Sequence, residues 1–204
     1  IVKDMFNDND FRKKINMSGV NSINWARIVC QIVYYFYAAF KIGKQNISFS
    51  VPTGNFGDIY AGYMAKKMGL PIDKLIVATN ENDILQRVIS TGEYKPDKVK
   101  PSLSPSMDIQ VSSNFERLLF DILNKDDKKV VSLMNDLTTK GFFKLNKDVI
   151  KILKKDFTAE KINDQETLAI IKKFNLEEKF VLDPHTATAF GATKKISNLS
   201  EVVI

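Results

Sequence analysis

A strand that enters a helix through a turn holding two glycines constrains this chain more than any other feature in it. Ile47, Phe49 and Val51 alternate with Ser48 and Ser50, the two-residue period of a strand. The next residues, P-T-G-N-F-G-D from Pro52 to Asp58, lead into a helical pattern over Ile59 to Met68. A strand, a short glycine turn and a helix N-terminus bring unpaired N–H groups and the positive end of a helix dipole to one point. That construction cradles an anion, phosphate above all. Gly54 and Gly57 are expected to take positive φ and to let the backbone approach the ligand. An ordinary βα turn without a ligand is the alternative on the glycines alone.

The type of phosphate is narrowed by what the turn lacks. A nucleotide P-loop needs Lys and Ser or Thr after its last glycine, and here Asp58 follows Gly57. The dinucleotide fingerprint is also missing, because the glycines are Gly54, Gly57 and Gly62. An acidic residue at this point disfavours a triphosphate and suits a single phosphate monoester.

Downstream, Lys74 to Ala78 and Glu201 to Ile204 read as further strands. Helical patterns cover Ile84 to Ile89, Asn114 to Leu123, Asp127 to Thr138, Lys147 to Lys154 and Gln165 to Phe174. Asp183 and Pro184 open a last helix as cap and first-turn proline. Residues 1–16 read as a helical lead-in. Thr91 to Pro105, with Gly92, Pro96, Pro101 and Pro105, reads as a surface loop. Strands alternating with helices predict an α/β fold with a mainly parallel sheet flanked by helices.

Asn21 is expected to open a long helix to about Ile42. Between Ile23 and Phe40 its strongly polar residues are Asn24, Arg27 and Gln31, so the helix is expected to be buried all round. Arg27 and the flanking sequence disfavour a membrane span. With Asn21, the three polar residues fall on one stripe, which must be paired or must line a cavity. Asn21 and Ser22 at the helix start and the planar fork of Arg27 suit a second phosphate. Core polar residues satisfied by nearby backbone are the alternative.

Composition sets the remaining limits. The chain has 204 residues, 44% hydrophobic and 26% charged, enough for a sizeable core. One cysteine, Cys30, allows no intrachain disulfide and fits a reducing, cytoplasmic setting. One histidine, His185, leaves a His/Cys metal site short of ligands. The net charge of +6 comes from lysines scattered over helices, with no aromatic-interleaved basic stripe of the kind that binds nucleic acid. The start without Met and the strand at the end are expected to mark an internal fragment.

Read whole, the turn resembles the phosphate-binding loop of the threonine synthases, pyridoxal-phosphate enzymes of the tryptophan-synthase β family. N-S-I-N-W-A-R (Asn21 to Arg27), T-N-E-N-D-I-L (Thr79 to Leu85), S-P-S-M-D-I (Ser104 to Ile109), S-S-N-F-E-R (Ser112 to Arg117) and D-P-H-T-A (Asp183 to Ala187) resemble that family in the same order. The resemblance implies part of a fold-type II pyridoxal-phosphate enzyme, a carbon–oxygen lyase of threonine biosynthesis. Its substrate is O-phospho-L-homoserine, which with water gives L-threonine and phosphate. The whole chain would be part of the large cofactor-binding domain, with a lysine-rich helical segment around residues 113–175.

By the same resemblance Gly54, Asn55, Phe56, Gly57 and Asp58 bind the pyridoxal 5'-phosphate. Asn21, Ser22, Arg27 and Asn55 bind the substrate, with Asn24 and Gln31 in support. Asp108, Glu116 and His185 are expected to be structural, while Thr186 either orients the cofactor or caps the last helix. The lysine that would hold the cofactor belongs to an F-K-D-type motif expected before Ile1. The hydroxyl residue meeting the pyridine nitrogen belongs to a T-A-H-P-type motif expected after Ile204. The chain alone would therefore be inactive. A phospholyase resembling the synthase, a cysteine-synthase-like enzyme and a non-catalytic α/β phosphate-binding module are the competing functions.

Overall fold

The computed structural model describes residues 4–5, 8–17, 21–199 and 201–204. Four parallel strands form the central sheet: β1 (Ile47–Pro52), β2 (Ile72–Thr79), β5 (Phe157–Lys161) and β6 (Val202–Val203), in the order β5-β2-β1-β6. A small antiparallel pair, β3 (Glu93–Tyr94) with β4 (Phe143–Lys144), stands apart from it.

Strand β2 shows why the sheet is parallel and covered on both faces. Leu75 and Val77 belong to the main hydrophobic core, while Ile76 and Ala78 point into a second cluster with Ile162, Ala189 and Ala192. A strand apolar on both faces needs helices above and below. The main core is closed by α2 (Trp25–Ile42), α3 (Gly57–Lys67), α4 (Ile84–Thr91), α5 (Phe115–Ile122) and α7 (Lys147–Asp156), with α6 (Asp127–Lys140) packed against it through Leu133, Met134 and Leu137; α1 is the short helix Asn9–Lys14. The opposite face is closed by α9 (Pro184–Lys195), backed by α8 (Asp164–Glu178). Helices α2 and α3 approach closely at Gly62, where a Cβ would lie 2.5 Å from the Tyr35 ring.

The predicted α/β class and parallel strands at 47, 75 and 202 are observed. Two expectations are corrected and one strand is added. Helix α2 begins at Trp25, not Asn21, because the Asn24 side chain accepts from the Ala26 N–H and caps it. Nor is α2 buried all round. Ile28, Ile32, Tyr35 and Ala39 pack inward, while Val33, Tyr34, Tyr37 and Phe40 are 61–74% exposed, since sheet and α3 meet only one stripe of it. The added strand is Phe157–Lys161, paired with β2, in a stretch (F-T-A-E-K) to which the sequence assigns no element. The lead-in contains α1, while residues 1–3 and 6–7 lie outside the described residues. Among the described residues no helix is long and apolar enough to cross a membrane.

Candidate functional site

Strand β1 lies between β2, reached next in the chain, and β6, reached last. Sheets of this kind bind ligands beyond the carboxyl ends of their strands where the winding reverses, and that point here is the end of β1 at Pro52. The turn follows directly, and α3 starts at Gly57 with no side chain capping it. Its first-turn N–H groups are thus open to a ligand.

The positive φ in the turn falls on Phe56, at 64°, and on neither Gly54 nor Gly57. This corrects the expected conformation. The strained residue is held because its ring is 1% exposed, 5.5 Å from Phe115 and 5.6 Å from Phe157 between ring centres. Phe56 therefore offers a ligand its backbone, since the side chain is part of the core. The two glycines have different reasons to lack a side chain. A Cβ on Gly54 would stand 2.7 Å from the Ser106 carbonyl oxygen, so the turn and the 95–110 loop touch there. A Cβ on Gly57 would meet Asn114 Nδ2 and Ser22 O at 3.4 Å and Gln31 Oε1 at 3.9 Å, which is ordinary contact. Gly57 is needed only if a ligand occupies that space.

That space is a cleft of about 260 Å³ lined by Ser22, Arg27, Gln31, Ser106 and the turn from Pro52 to Ile59. The glycine turn and the Ser22–Arg27–Gln31 wall, read as separate phosphate sites from sequence, thus share one cleft. Arg27 is on the exposed side of α2, not buried. Asn21 does not line the cleft; its side chain accepts from the Ile23 N–H in a local turn. Because the helix starts at Asn24, Asn21 and Ser22 lie in the approach to α2, and Asn24 is spent on the cap.

Asp58 faces the cleft beside the helix start. Burial pushes its carboxyl above the usual range, against the opposing hydrogen bond from the buried Tyr35 hydroxyl, 3.2 Å away. A carboxyl that gains protons readily repels an anion less than a fixed charge would.

Residues not singled out from sequence hold the two walls together. Asn114, fully buried, donates from Nδ2 to Ser22 O at 2.9 Å and to Asn55 O at 3.0 Å, and its own N–H also reaches Asn55 O. Ser112 Oγ donates to Gly54 O at 2.9 Å, and Ser113 Oγ donates to Asn55 Oδ1 at 3.3 Å. The S-S-N run was their only signal. Asp108 works further out: Oδ1 accepts from Asn80, Asn82 and Ser102 side chains at 2.6–3.0 Å, and Oδ2 from the Ser102 N–H. This fixes the loop that brings Ser106 against Gly54. Glu116 is exposed on α5, away from the cleft.

No family model matches the chain. The threonine synthase of Saccharomyces cerevisiae is 49% identical, matching 96% of this chain and 42% of its own length. A crystal structure of PLP-bound threonine synthase from Brucella melitensis is 47% identical with a TM-score of 0.95, covering 99% of this chain and 44% of that one. Maize serine racemase, at 12% identity and TM-score 0.63 over 97% of this chain and 53% of its own, shares the fold alone. The chain spans about two fifths of the length of these curated relatives. Over that part of the fold, the chain belongs to the threonine synthases.

Proposed function

We propose that the complete protein is a threonine synthase, converting O-phospho-L-homoserine and water to L-threonine and phosphate with the help of pyridoxal 5'-phosphate. One observation carries the reading: an uncapped helix start and an arginine face each other across one cleft beyond the end of β1.

The residues fit a phosphate monoester as the cofactor's anchor. The open N–H groups at Gly57 and Asp58, and the space left by Gly57, accept a compact anion. When bound, pyridoxal phosphate supplies an electron sink. The chain's own residues hold and orient. The Gly54–Asp58 turn fixes the cofactor phosphate, and Asn55 lies between the two anions. Ser22 and Arg27 hold the substrate phosphate, with Gln31 beside them, and keep it placed as it leaves. Asn21 supports the approach to Ser22, its Oδ1 accepting from the Ile23 N–H while its Nδ2 donors stay available to the substrate phosphate. The lysine that reacts with the cofactor is supplied by a part of the protein outside this chain.

The test is the complete protein with O-phospho-L-homoserine, following both phosphate and L-threonine. Arg27→Ala removes charge-assisted hydrogen bonds of roughly 1.5–3 kcal/mol, a fall in kcat/KM of about tenfold to more than a hundredfold. Arg27→Lys recovers part of it, because an ammonium lacks the fork. Release of a keto acid in place of threonine, or normal kinetics in folded Arg27→Ala, would refute the reading.

A further inference from the structure

The Ser106 hydroxyl stands at the cleft and is held from behind by a histidine. Ser106 lines the cleft with Arg27, Asn55 and Asp58. Its Oγ is 2.7 Å from His185 Nε2, and Nδ1 of the same ring is 3.2 Å from Asp183 Oδ1. Ser106 belongs to the 95–110 loop and His185 to α9, so a contact between residues 79 apart is made by the tertiary fold. Helix capping explains Asp183, which accepts from the His185 and Thr186 N–H groups. Capping does not explain why the ring reaches across to Ser106.

The proton arrangement follows from Asp183. Burial pushes its carboxyl up, but the Thr186 hydroxyl and the Thr186 and His185 N–H groups outweigh that and hold it below its ordinary value. An ionised carboxylate at Nδ1 accepts, so Nδ1 carries the hydrogen and a neutral ring leaves Nε2 bare. The Ser106 proton is then committed to Nε2, and the oxygen turns lone pairs toward the cleft. On a protonated ring Nε2 donates to Ser106 Oγ, and the Ser106 proton is free to point into the cleft.

We propose that Ser106 is a further contact of the substrate phosphate, and that His185, oriented by Asp183, sets whether the Ser106 hydroxyl donates to it. The inference rests on the reading of the cleft as a phosphate site. Ser106 touches the ligand; His185 and Asp183 are positioning residues. Anion binding becomes linked to proton uptake at His185, so affinity for a dianion falls as pH rises. The charged groups around this chain of contacts are Asp183 on α9, Arg27 and Asp58 on the cleft walls, and Asp108, whose carboxylate is turned into the Asn80–Asn82–Ser102 cluster. Asp58 would act in the same direction as it ionises, so the experiment must separate it from His185.

The probe is sulfate, a dianion that does not titrate near neutrality. It is added to the cofactor-loaded complete protein and followed by calorimetry between about pH 5.5 and 8.5. The wild type should weaken by about tenfold or more as pH rises, the worth of one hydrogen bond to a charged group. Ser106→Ala should bind sulfate weakly at every pH, and Ser106→Thr, which keeps the hydroxyl, should restore the step. His185→Gln should abolish the step. If a step survives His185→Gln and vanishes in Asp58→Asn, Asp58 is its source and the role of His185 is overturned. If Arg27→Ala weakens sulfate binding while Ser106→Ala and His185→Gln behave as wild type, the inference fails and the phosphate cleft stands. If Arg27→Ala has no effect on sulfate binding, both fall.

Discussion

Gly54 and Gly57 lie three residues apart in the same turn, and substituting each by alanine should lower ligand affinity in both but stability in only one. In Gly54→Ala the new Cβ meets the Ser106 carbonyl oxygen at 2.7 Å and Met107 Cα at 3.3 Å, both backbone atoms that cannot swing aside. Forcing a carbon into such a contact costs roughly 1–3 kcal/mol. The loop or the turn must shift, so the melting temperature falls and ligand affinity falls with it. In Gly57→Ala the nearest protein atoms are Asn114 Nδ2 and Ser22 O at 3.4 Å, so stability should change by no more than about 0.5 kcal/mol. The same Cβ points toward Ser22 and Gln31, both of which line the cleft, and narrows the space at the helix start. Losing one hydrogen bond from the open N–H groups to a phosphate is worth roughly 1.5–3 kcal/mol, or about tenfold to more than a hundredfold in affinity. The assay is a pyridoxal-phosphate titration of both variants of the complete protein beside their melting curves. Normal cofactor affinity in Gly57→Ala would remove the turn from the anion site. A Gly54→Ala protein as stable as wild type would show that the turn and loop are not in the tight contact described.

Three further outcomes follow from the same geometry. Asp108→Ala removes the carboxylate that accepts from Asn80, Asn82 and Ser102, leaving the two amides only their neutral acceptors at Ser104 and Lys100, and should destabilise the protein by about 1–3 kcal/mol, with substrate affinity reduced because Ser106 loses its support; denaturant unfolding checks the first and kinetics the second. Because burial raises the Asp58 carboxyl, the folded state binds more protons than the unfolded one from about pH 4, the ordinary carboxylate value, up through the raised value. Stability therefore falls as pH rises through that window, and Asp58→Asn should remove this part of the slope in pH-dependent unfolding. The 204-residue chain alone should form no covalent adduct with pyridoxal phosphate and no threonine; an adduct on one specific lysine, found by reduction and mass spectrometry, would refute this.

What could be read from sequence follows from the range over which each signal acts. The alternation of Ile47, Phe49 and Val51 and the faces of α5 are local periodicities, and both stand in the structure. The start of α2 is misplaced because Asn21 and Asn24 are equally good caps, each accepting at Oδ1 from the N–H two residues on, and only the helical backbone bond from the Ile28 N–H to Asn24 O separates them. The burial of α2 was overestimated because an apolar helix shows how much surface could be covered but not what covers it. Strand Phe157–Lys161 was missed because its stability comes from pairing with β2, a non-local partner.

The site shows the same division more sharply. Gly54, Gly57, Ser22 and Arg27, which line the cleft, are residue types that suit phosphate wherever a glycine turn or an arginine meets a helix, so residue type alone singles them out. Asn114 is not singled out, since nothing in an asparagine at a helix start indicates that its amide will bond to two carbonyls 59 and 92 residues away. Yet Asn114 makes one cleft of what the sequence offers as two phosphate sites. It ties Ser22 on the approach to α2 to Asn55 at the centre of the turn, fixing the distance between the wall that would hold the substrate phosphate and the turn that would hold the cofactor's. Two anions bound independently would need no such tie. A reaction in which one phosphate must leave while the other stays does need it, because the leaving group has to be placed relative to a cofactor that does not move.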